Sequence, residues 1–328
     1  METADVFQTS PIQKVTSHGH YRVLVLHGGW TLERDMSLES GRGIINALKT
    51  LGHSVEAFDP PRNLQEIVKG ICNSFDGSGP EVIFNMLLGG EGEGGTIHGV
   101  IELLGIPYTS SGVHASAAAI HKGFCRSIMK DVGISCPPGR VMSLQEYKDK
   151  GWSYPHIVKA PLEGSSISVS FVDNNDKRNK VISNWSYGED ILVEDYIPGR
   201  EVKIAVYGGR AMGAKESTFK APIYDYQTRY TKGAAQHTIS PTLPPDVSKQ
   251  MHMWAELAHK TLHCRGITVT DFRYNPDAPV GNQVYFLEIN TQPGFTENSS
   301  VPHIAKHYDW SFADCVAFVL DEAIKTRL

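Results

Sequence analysis

YRVLVLHGG (21–29) is an apolar run closed by two glycines, and the helical spacing that follows from about Ser37 to Leu51 makes it strand, glycine turn, helix. HSVEAF (53–58) predicts a short second strand with another helix behind it. EVIFNMLL (81–88) is a near-continuous apolar run of the kind buried on both faces in a parallel sheet. Strands that alternate with helices predict a doubly wound parallel sheet, whose ligands gather beyond the carboxyl ends of the strands. The glycine clusters at 28–29 and 89–95 lie there.

Beyond about residue 110 the texture changes. HASAAAIHKGFCRSIMK (114–130) predicts one Ala-rich helix, and the paired prolines of GISCPPG force an extended passage. PHIVKAPLEGSSISVSFV (155–172) reads as strand, Gly/Ser loop, strand, and DILVEDYIPGREVKIAVYGG (190–209) as two strands around a ProGly turn. A polar loop is expected over 217–245, long enough to be functional. In the helix VSKQMHMWAELAHKTL (247–262), Met251, Trp254, Ala258 and Leu262 form a core stripe. ITVTDFRY (267–274) and VYFLEIN (284–290) are strands joined by NPDAPVGNQ, a hairpin loop. The expected organisation is α/β followed by α+β: a tail (1–20), a Rossmann-like unit (21–110), a central unit (111–190) and a C-terminal unit (191–328).

A length of 328 residues agrees with about two domains or three small ones, at roughly 150 residues each. Hydrophobic residues make up 41% and charged ones 20%, with 31 Gly and 18 Pro, which excludes disordered and collagen-like chains. The net charge of −5 offers no basic field for nucleic acid or an anionic membrane. No run approaches the ~18–20 apolar residues that a membrane-spanning helix needs. The first twenty residues have no apolar core, so they are read as a loose tail rather than a secretory signal, and a cytoplasmic protein is expected. Five scattered cysteines without C-x-x-C spacing read as reduced, mostly buried thiols.

Opposed residues of a hairpin share a constant index sum, and a turn centred between Pro279 and Val280 sets Asp271 against Glu288. Glu288 and Asn290, two apart, share that face. Three oxygen donors with no His or Cys suit Mg²⁺ carried on nucleotide phosphates; the alternative is a solvated hairpin face. Lys159, ahead of Gly164, Ser165, Ser166 and Ser168, brings a cation and several donors to one loop, as a phosphate site would or as a polar hairpin tip would. Lys122, taken alone, is a solvated helix residue. GGEGEGG (89–95) lacks the G-x-G-x-x-G order, which argues against NAD, and Lys260 between His259 and His263 argues against a zinc protease.

In order, these segments resemble the D-alanine:D-alanine ligase family of ATP-grasp enzymes, from about residue 21 to the C-terminus. HGGWTLERDMSLESG (27–41) is similar to the family's GG-x-S-x-E-R-E-V-S-L-x-S-G, and GIPYTSSGVHASAAAIHK (105–122) to its G-I-P-Y-T-G-S-G-x-x-A-S-A-x-x-x-D-K. HIVKAPLEGSSISVS (156–170) resembles its lysine and serine loop, YDYQTRY (224–230) its Y-D-Y-x-x-K-Y lid, and EINTQPGFTENSSVP (288–302) its E-x-N-T-x-P-G-x-T-x-x-S-L-V-P. The resemblance implies an ATP-grasp fold and an ATP- and Mg²⁺- (or Mn²⁺-) dependent ligase with two ions per site. It would phosphorylate one D-alanine and let the amine of a second attack, supplying peptidoglycan synthesis as a homodimer. Lys122 and Lys159 would hold the ATP phosphates, Glu194 the adenine side and Glu201 the ribose. Asp271, Glu288 and Asn290 would bind the metal, and Glu33 the ammonium of the first D-alanine. Ser165, Tyr230 and Arg229 would close lid and serine loop over the reaction, and Ser299 with the adjoining Ser300 would take the second substrate's carboxylate.

This chain departs from the family at several of these positions. Leu88 stands for the family histidine, GlyGluGlyGly (92–95) for G-E-D-G, Ser168 for a loop glycine, Arg229 for the lid lysine and Ser300 for a leucine. Val269 stands where the family has an arginine facing the reaction centre. Losing such a donor typically lowers a rate by ~10²–10³. The readings left open are the dipeptide ligase with slow turnover, a ligase for another amino or hydroxy acid, and a non-catalytic nucleotide-binding relative.

Overall fold

The computed structural model describes residues 12–15, 19–164, 166–225, 228, 231, 233–297 and 299–326. β1 (Arg22–Leu26), β2 (Ser54–Phe58) and β3 (Val82–Asn85) form a parallel sheet in the order β2-β1-β3. Of the run read as a doubly buried strand, Val82–Asn85 form β3, buried throughout. α1 (Arg34–Thr50) starts three residues before the expected Ser37 and buries Ile44, Ala47 and Leu48. Ser37 ties this helix to the ligand end of the sheet, donating to Met86 O at 2.5 Å and accepting from Gly28 N at 2.7 Å. α2 (Leu64–Asn73), α3 (Gly90–Glu93) and α4 (Thr96–Leu103) complete the unit.

The Ala-rich segment is not one helix. α5 (Val113–Ile120) and α6 (Lys122–Asp131) break at His121, whose backbone is extended and whose Nδ1 accepts from Phe124 N at 3.2 Å. That side-chain cap gives α6 its own start and puts Lys122 on its first turn. β4 (Gly139–Ser143), α7 (Leu144–Lys150), β5 (His156–Lys159), β6 (Ser170–Val172), α8 (Asn175–Asn184) and β7 (Asp190–Asp195) follow, the strands forming an antiparallel sheet in the order β4-β7-β5-β6. β8 (Arg200–Tyr207), β9 (Arg210–Phe219), β10 (Ala235–Ile239), α9 (Pro245–Thr261), β11 (Ile267–Tyr274) and β12 (Val284–Asn290) build a second antiparallel sheet in the order β10-β9-β8-β11-β12. α10 (Ser300–His307) and α11 (Phe312–Lys325) close the chain.

Two expectations are corrected here. The strands around the ProGly turn do not pair; β7 belongs to the first antiparallel sheet and β8 to the second, so Pro198–Gly199 is a corner between sheets and the change of unit falls past residue 190. The polar segment 217–245 is not all loop, because its first residues finish β9 and Ala235–Ile239 pair with β9 as β10. Part of the presumed tail is also seated: Ile12 and Val15 pack against the core, and Lys14 Nζ reaches Asp309 O at 2.6 Å and Asp314 Oδ2 at 3.0 Å.

The five-stranded sheet is covered on both faces. On one, Val202, Ile204, Phe272 and Phe286 pack on α5, α6 and α9, where Met251 and Ala258 of the expected stripe are buried and Trp254 partly so. On the other, Ala205, Tyr207, Ile267 and Val269 join α10, α11 and the β1–β3 sheet in one core. Among the described residues no helix is long and apolar enough to cross a membrane. Cys125, Cys136 and Cys315 are buried free thiols, and Cys72 is exposed.

The corner that separates the two antiparallel sheets depends on one glycine. Gly199 has φ +117°, and a β-carbon there would lie 2.0 Å from Tyr274 O. Gly199→Ala should therefore destabilise the fold by about 2–3 kcal/mol, seen as an earlier denaturant midpoint with an unchanged slope. A midpoint equal to that of the parent would contradict this reading of the corner.

Candidate active site

Cross-strand register places a line of charges on one face of the five-stranded sheet. Glu288 on β12 faces Asp271 on β11, Asp271 faces Lys203 on β8, and Lys203 faces Lys215 on β9. Asn290 faces Val269 on the neighbouring row, as the hairpin index sum requires. Past Asp271 the register shifts by one at a bulge, and Leu287 turns into the adjoining cleft. Two carboxylates directly opposed on a sheet repel one another. Here each has a lysine: Lys203 Nζ is ion-paired with Asp271, and Lys122 Nζ lies 3.3 Å from Glu288.

A cleft between the two antiparallel sheets is lined by Lys122, Lys159, Glu194, Glu201, Leu287 and Arg273. Lys159 ends β5 and Glu194 nearly ends β7, so neighbouring strands deliver both. Glu194 is fully buried between Lys159 and Arg126, each ion-paired to it, and Arg126 also donates to Pro137 O at 2.5 Å. Such a buried carboxylate is held by its two cations. Lys122 reaches Glu163 O at 2.5 Å and so spans from α6 to the loop after β5. Ser168 accepts from Ala160 N at 2.9 Å and ties that loop together. Arg273 is committed to the cleft wall, donating to Ile197 O and Pro222 O at 2.9 Å each and lying 3.5 Å from Glu201.

The cleft opens into a basin of about 310 Å³, with Lys122, Glu163, Tyr224, Asp271 and Glu288 lining both. Glu33, at the start of α1, extends between two loops: β-carbons on Gly89 and Gly164 would lie 2.7 and 3.2 Å from its Oε2. Glycine at both places lets the chain pass close to this carboxylate. Ser299 caps the approach to α10 and bonds Thr296 N at 3.0 Å, and both Ser299 and Ser300 line the basin. Asn290 is on the basin wall with its Oδ1 accepting from Gln292 N at 2.8 Å. Leu88 and Val269 give the wall an apolar margin continuous with the core. Ser165, Arg229 and Tyr230 lie outside the described residues.

Sequence reasoning missed three groups of this basin. Glu93 accepts from Gly89 N at 3.0 Å, and burial, reinforced by the charge of Glu33, pushes its carboxyl up to about 8. Lys203 and Lys215 are only 6% and 4% exposed, yet both line the basin. A lysine inside an apolar strand, as in VKIAV, was the available signal. Among the described residues no three His, Cys, Asp or Glu side chains form a metal-binding group, so any metal here would rely on the Asp271–Glu288 pair with an amide or a ligand oxygen.

The sequence profile described as "D-ala D-ala ligase C-terminus" matches residues 128–321. The D-alanine–D-alanine ligase of Xanthobacter autotrophicus is 36% identical over 310 residues, covering 93% of this chain and 99% of its own. That of Paramagnetospirillum magneticum is 39% identical over 305 residues, covering 92% and 98%. Among solved structures, the Bacillus anthracis D-alanine–D-alanine ligase complexed with ATP superposes with a TM-score of 0.77 at 20% identity, over 94% of this chain and 98% of that one. The VanG D-Ala:D-Ser ligase of Enterococcus faecalis gives 0.74 at 22% identity, over 94% and 100%. These two show the fold.

Glu93 carries a pH signature. Its folded-state pKa, about 8, is above the ordinary 4.5, so between those values the folded chain keeps a proton that the unfolded chain has released. Stability from this group is full below about pH 4.5 and is lost as the pH rises toward 8. Glu93→Gln should flatten that part of the pH–stability curve and raise the denaturant midpoint at pH 8 relative to the parent. Parallel curves for the two proteins would contradict the assignment.

Proposed function

The chain belongs to the D-alanine–D-alanine ligase family, and from that premise we propose that it joins two D-alanines into D-alanyl-D-alanine with cleavage of ATP to ADP and phosphate. The observation that supports this best is the junction of cleft and basin. Lys122, Asp271 and Glu288 line both, so a phosphate chain in the cleft would end where a substrate in the basin begins. The departures at Leu88 and Val269 do not favour a different substrate or a lost activity over this one.

Each residue then has a task. Lys159 and Lys122 neutralise the phosphates, Glu194 and Glu201 face the nucleoside, and Glu33 takes the ammonium of the first D-alanine. A carboxylate oxygen of that D-alanine attacks the γ-phosphorus; an O–P bond forms and the bond to ADP breaks. The amine of the second D-alanine, its carboxylate held at Ser299 and Ser300, attacks the acyl carbon. A C–N bond forms, the C–O bond to phosphate breaks, and the phosphate carries off the proton. Burial between sheets keeps water from the acyl phosphate, with Ser165, Arg229 and Tyr230 assigned to closure.

The donor set suits magnesium, or manganese, since Asp271 and Glu288 face each other and offer only oxygens, with Asn290 one row away. Two ions held there would screen the phosphates when nucleotide is bound. We assign the chain to the cytoplasm, to peptidoglycan precursor synthesis, and to a homodimer.

MgATP should raise the melting temperature, since saturation a hundredfold above Kd stabilises by about 2.7 kcal/mol. Lys159→Met should remove most of the shift. Glu33→Gln should keep the shift but lose D-alanine-dependent ADP release by a hundredfold or more. No shift in millimolar MgATP would defeat the nucleotide assignment.

A further inference from the structure

The charges on the five-stranded sheet are sorted along the row. Two carboxylates, Glu288 and Asp271, occupy adjacent strands at one end, and two lysines, Lys203 and Lys215, occupy adjacent strands at the other. Neighbouring strands are about 4.8 Å apart, so each end holds like charges face to face, an arrangement that is destabilising by itself. Lys203 is ion-paired with Asp271 across the middle of the row, and both lysines, though deeply buried, line the basin. The carboxylate end suits a cation; the lysine end suits an anion. Both lysines face the basin in which Glu33 and Ser299 also lie.

The neighbouring row explains why the lysines matter. It runs Asn290, Val269, Ala205, Gly213, and after Asn290 none of these side chains can donate a hydrogen bond. Val269 instead packs into the core shared with α10 and α11. The Cα of Lys203 lies one strand across and two residues along from Val269, about 8 Å away at standard sheet spacings. Its side chain and that of Lys215 thus enter the space that a long cationic side chain at 269 would reach.

We propose that Lys203 and Lys215 form the oxyanion-holding edge of this active site, binding the negative charge that builds on the transferred phosphate and the acyl oxygen, in place of a side chain from position 269. The proposal rests on the ligase reading. It removes the expectation that Val269 makes the enzyme slow, because the charge is supplied from β8 and β9 rather than from β11. A lysine pair also differs from one arginine in kind, offering two compact charges instead of a planar fork.

The test uses the full chain with Lys215→Met, which keeps the buried stem and removes the charge. Dipeptide formation should fall about a hundredfold or more in kcat, while KM for ATP stays within threefold and the MgATP melting shift is retained. Lys215→Arg should keep a tenth or more of the parental kcat. Adding Val269→Arg to Lys215→Met should recover at least tenfold, an effect that a merely structural role for Lys215 would not give. Unchanged kcat in Lys215→Met overturns the proposal. So does a loss confined to KM for D-alanine, which would make the lysine a holder of substrate carboxylate. If the parent binds MgATP but makes no dipeptide, the ligase reading fails separately. Titration of the MgADP complex with inorganic phosphate then decides the anion site: tenfold weaker binding in Lys215→Met supports it, and equal binding overturns it.

Discussion

Two carboxylates that face each other across β11 and β12 are the constraint around which this molecule is arranged. Asp271 and Glu288 repel at that spacing, and the fold answers by bringing Lys203 from the next strand and Lys122 from the start of α6. Lys122 also holds the loop after β5 through Glu163 O, and so joins the second antiparallel sheet to the first. The Lys122–Glu288 pair at the junction of cleft and basin is therefore also a joint between units. Binding of nucleotide phosphates at Lys122 would be felt at both.

The cleft exists because β7 and β8 go to different sheets. Had Pro198–Gly199 closed a hairpin, Glu194 and Glu201 would have lain on one surface; as a corner, it sets them on opposite sides of a gap. Gly199 makes the corner and Arg273 secures it by donating to Ile197 O beside it. The basin is built differently. Glu33 comes from a helix start in the parallel unit, Gly164 from the central loop and Ser299 from the entry to α10, so the three units meet there. A shared core along Val25, Phe84, Val269 and Val316 joins the parallel unit to the C-terminal one.

What could be read from the chain was whatever local spacing decides. Period-2 alternation and the turn centre gave the pairing of Asp271 with Glu288, and the same index sum holds at Val269 and Asn290. The bulge at Leu287 breaks the same index sum one step further on, and no local signal marks it. His121 was hidden inside an Ala-rich run whose propensity favours one helix, while its side chain caps a new one. Which sheet a strand joins is a tertiary choice, so β7 and β8 could not be separated by their turn residues. For the same reason Lys203 and Lys215 were visible as letters but not as neighbours. Their pairing needs the register of β8 with both β9 and β11.

The central claim is that this junction passes a phosphoryl group from the cleft to a carboxylate in the basin. D-Alanine labelled with ¹⁸O in its carboxyl group, turned over with unlabelled MgATP, tests it directly by mass spectrometry of the phosphate released. Activation of the carboxylate predicts one ¹⁸O in each phosphate formed together with dipeptide from fully labelled substrate. Unlabelled phosphate accompanying dipeptide would contradict the account, because the oxygen would then have come from water.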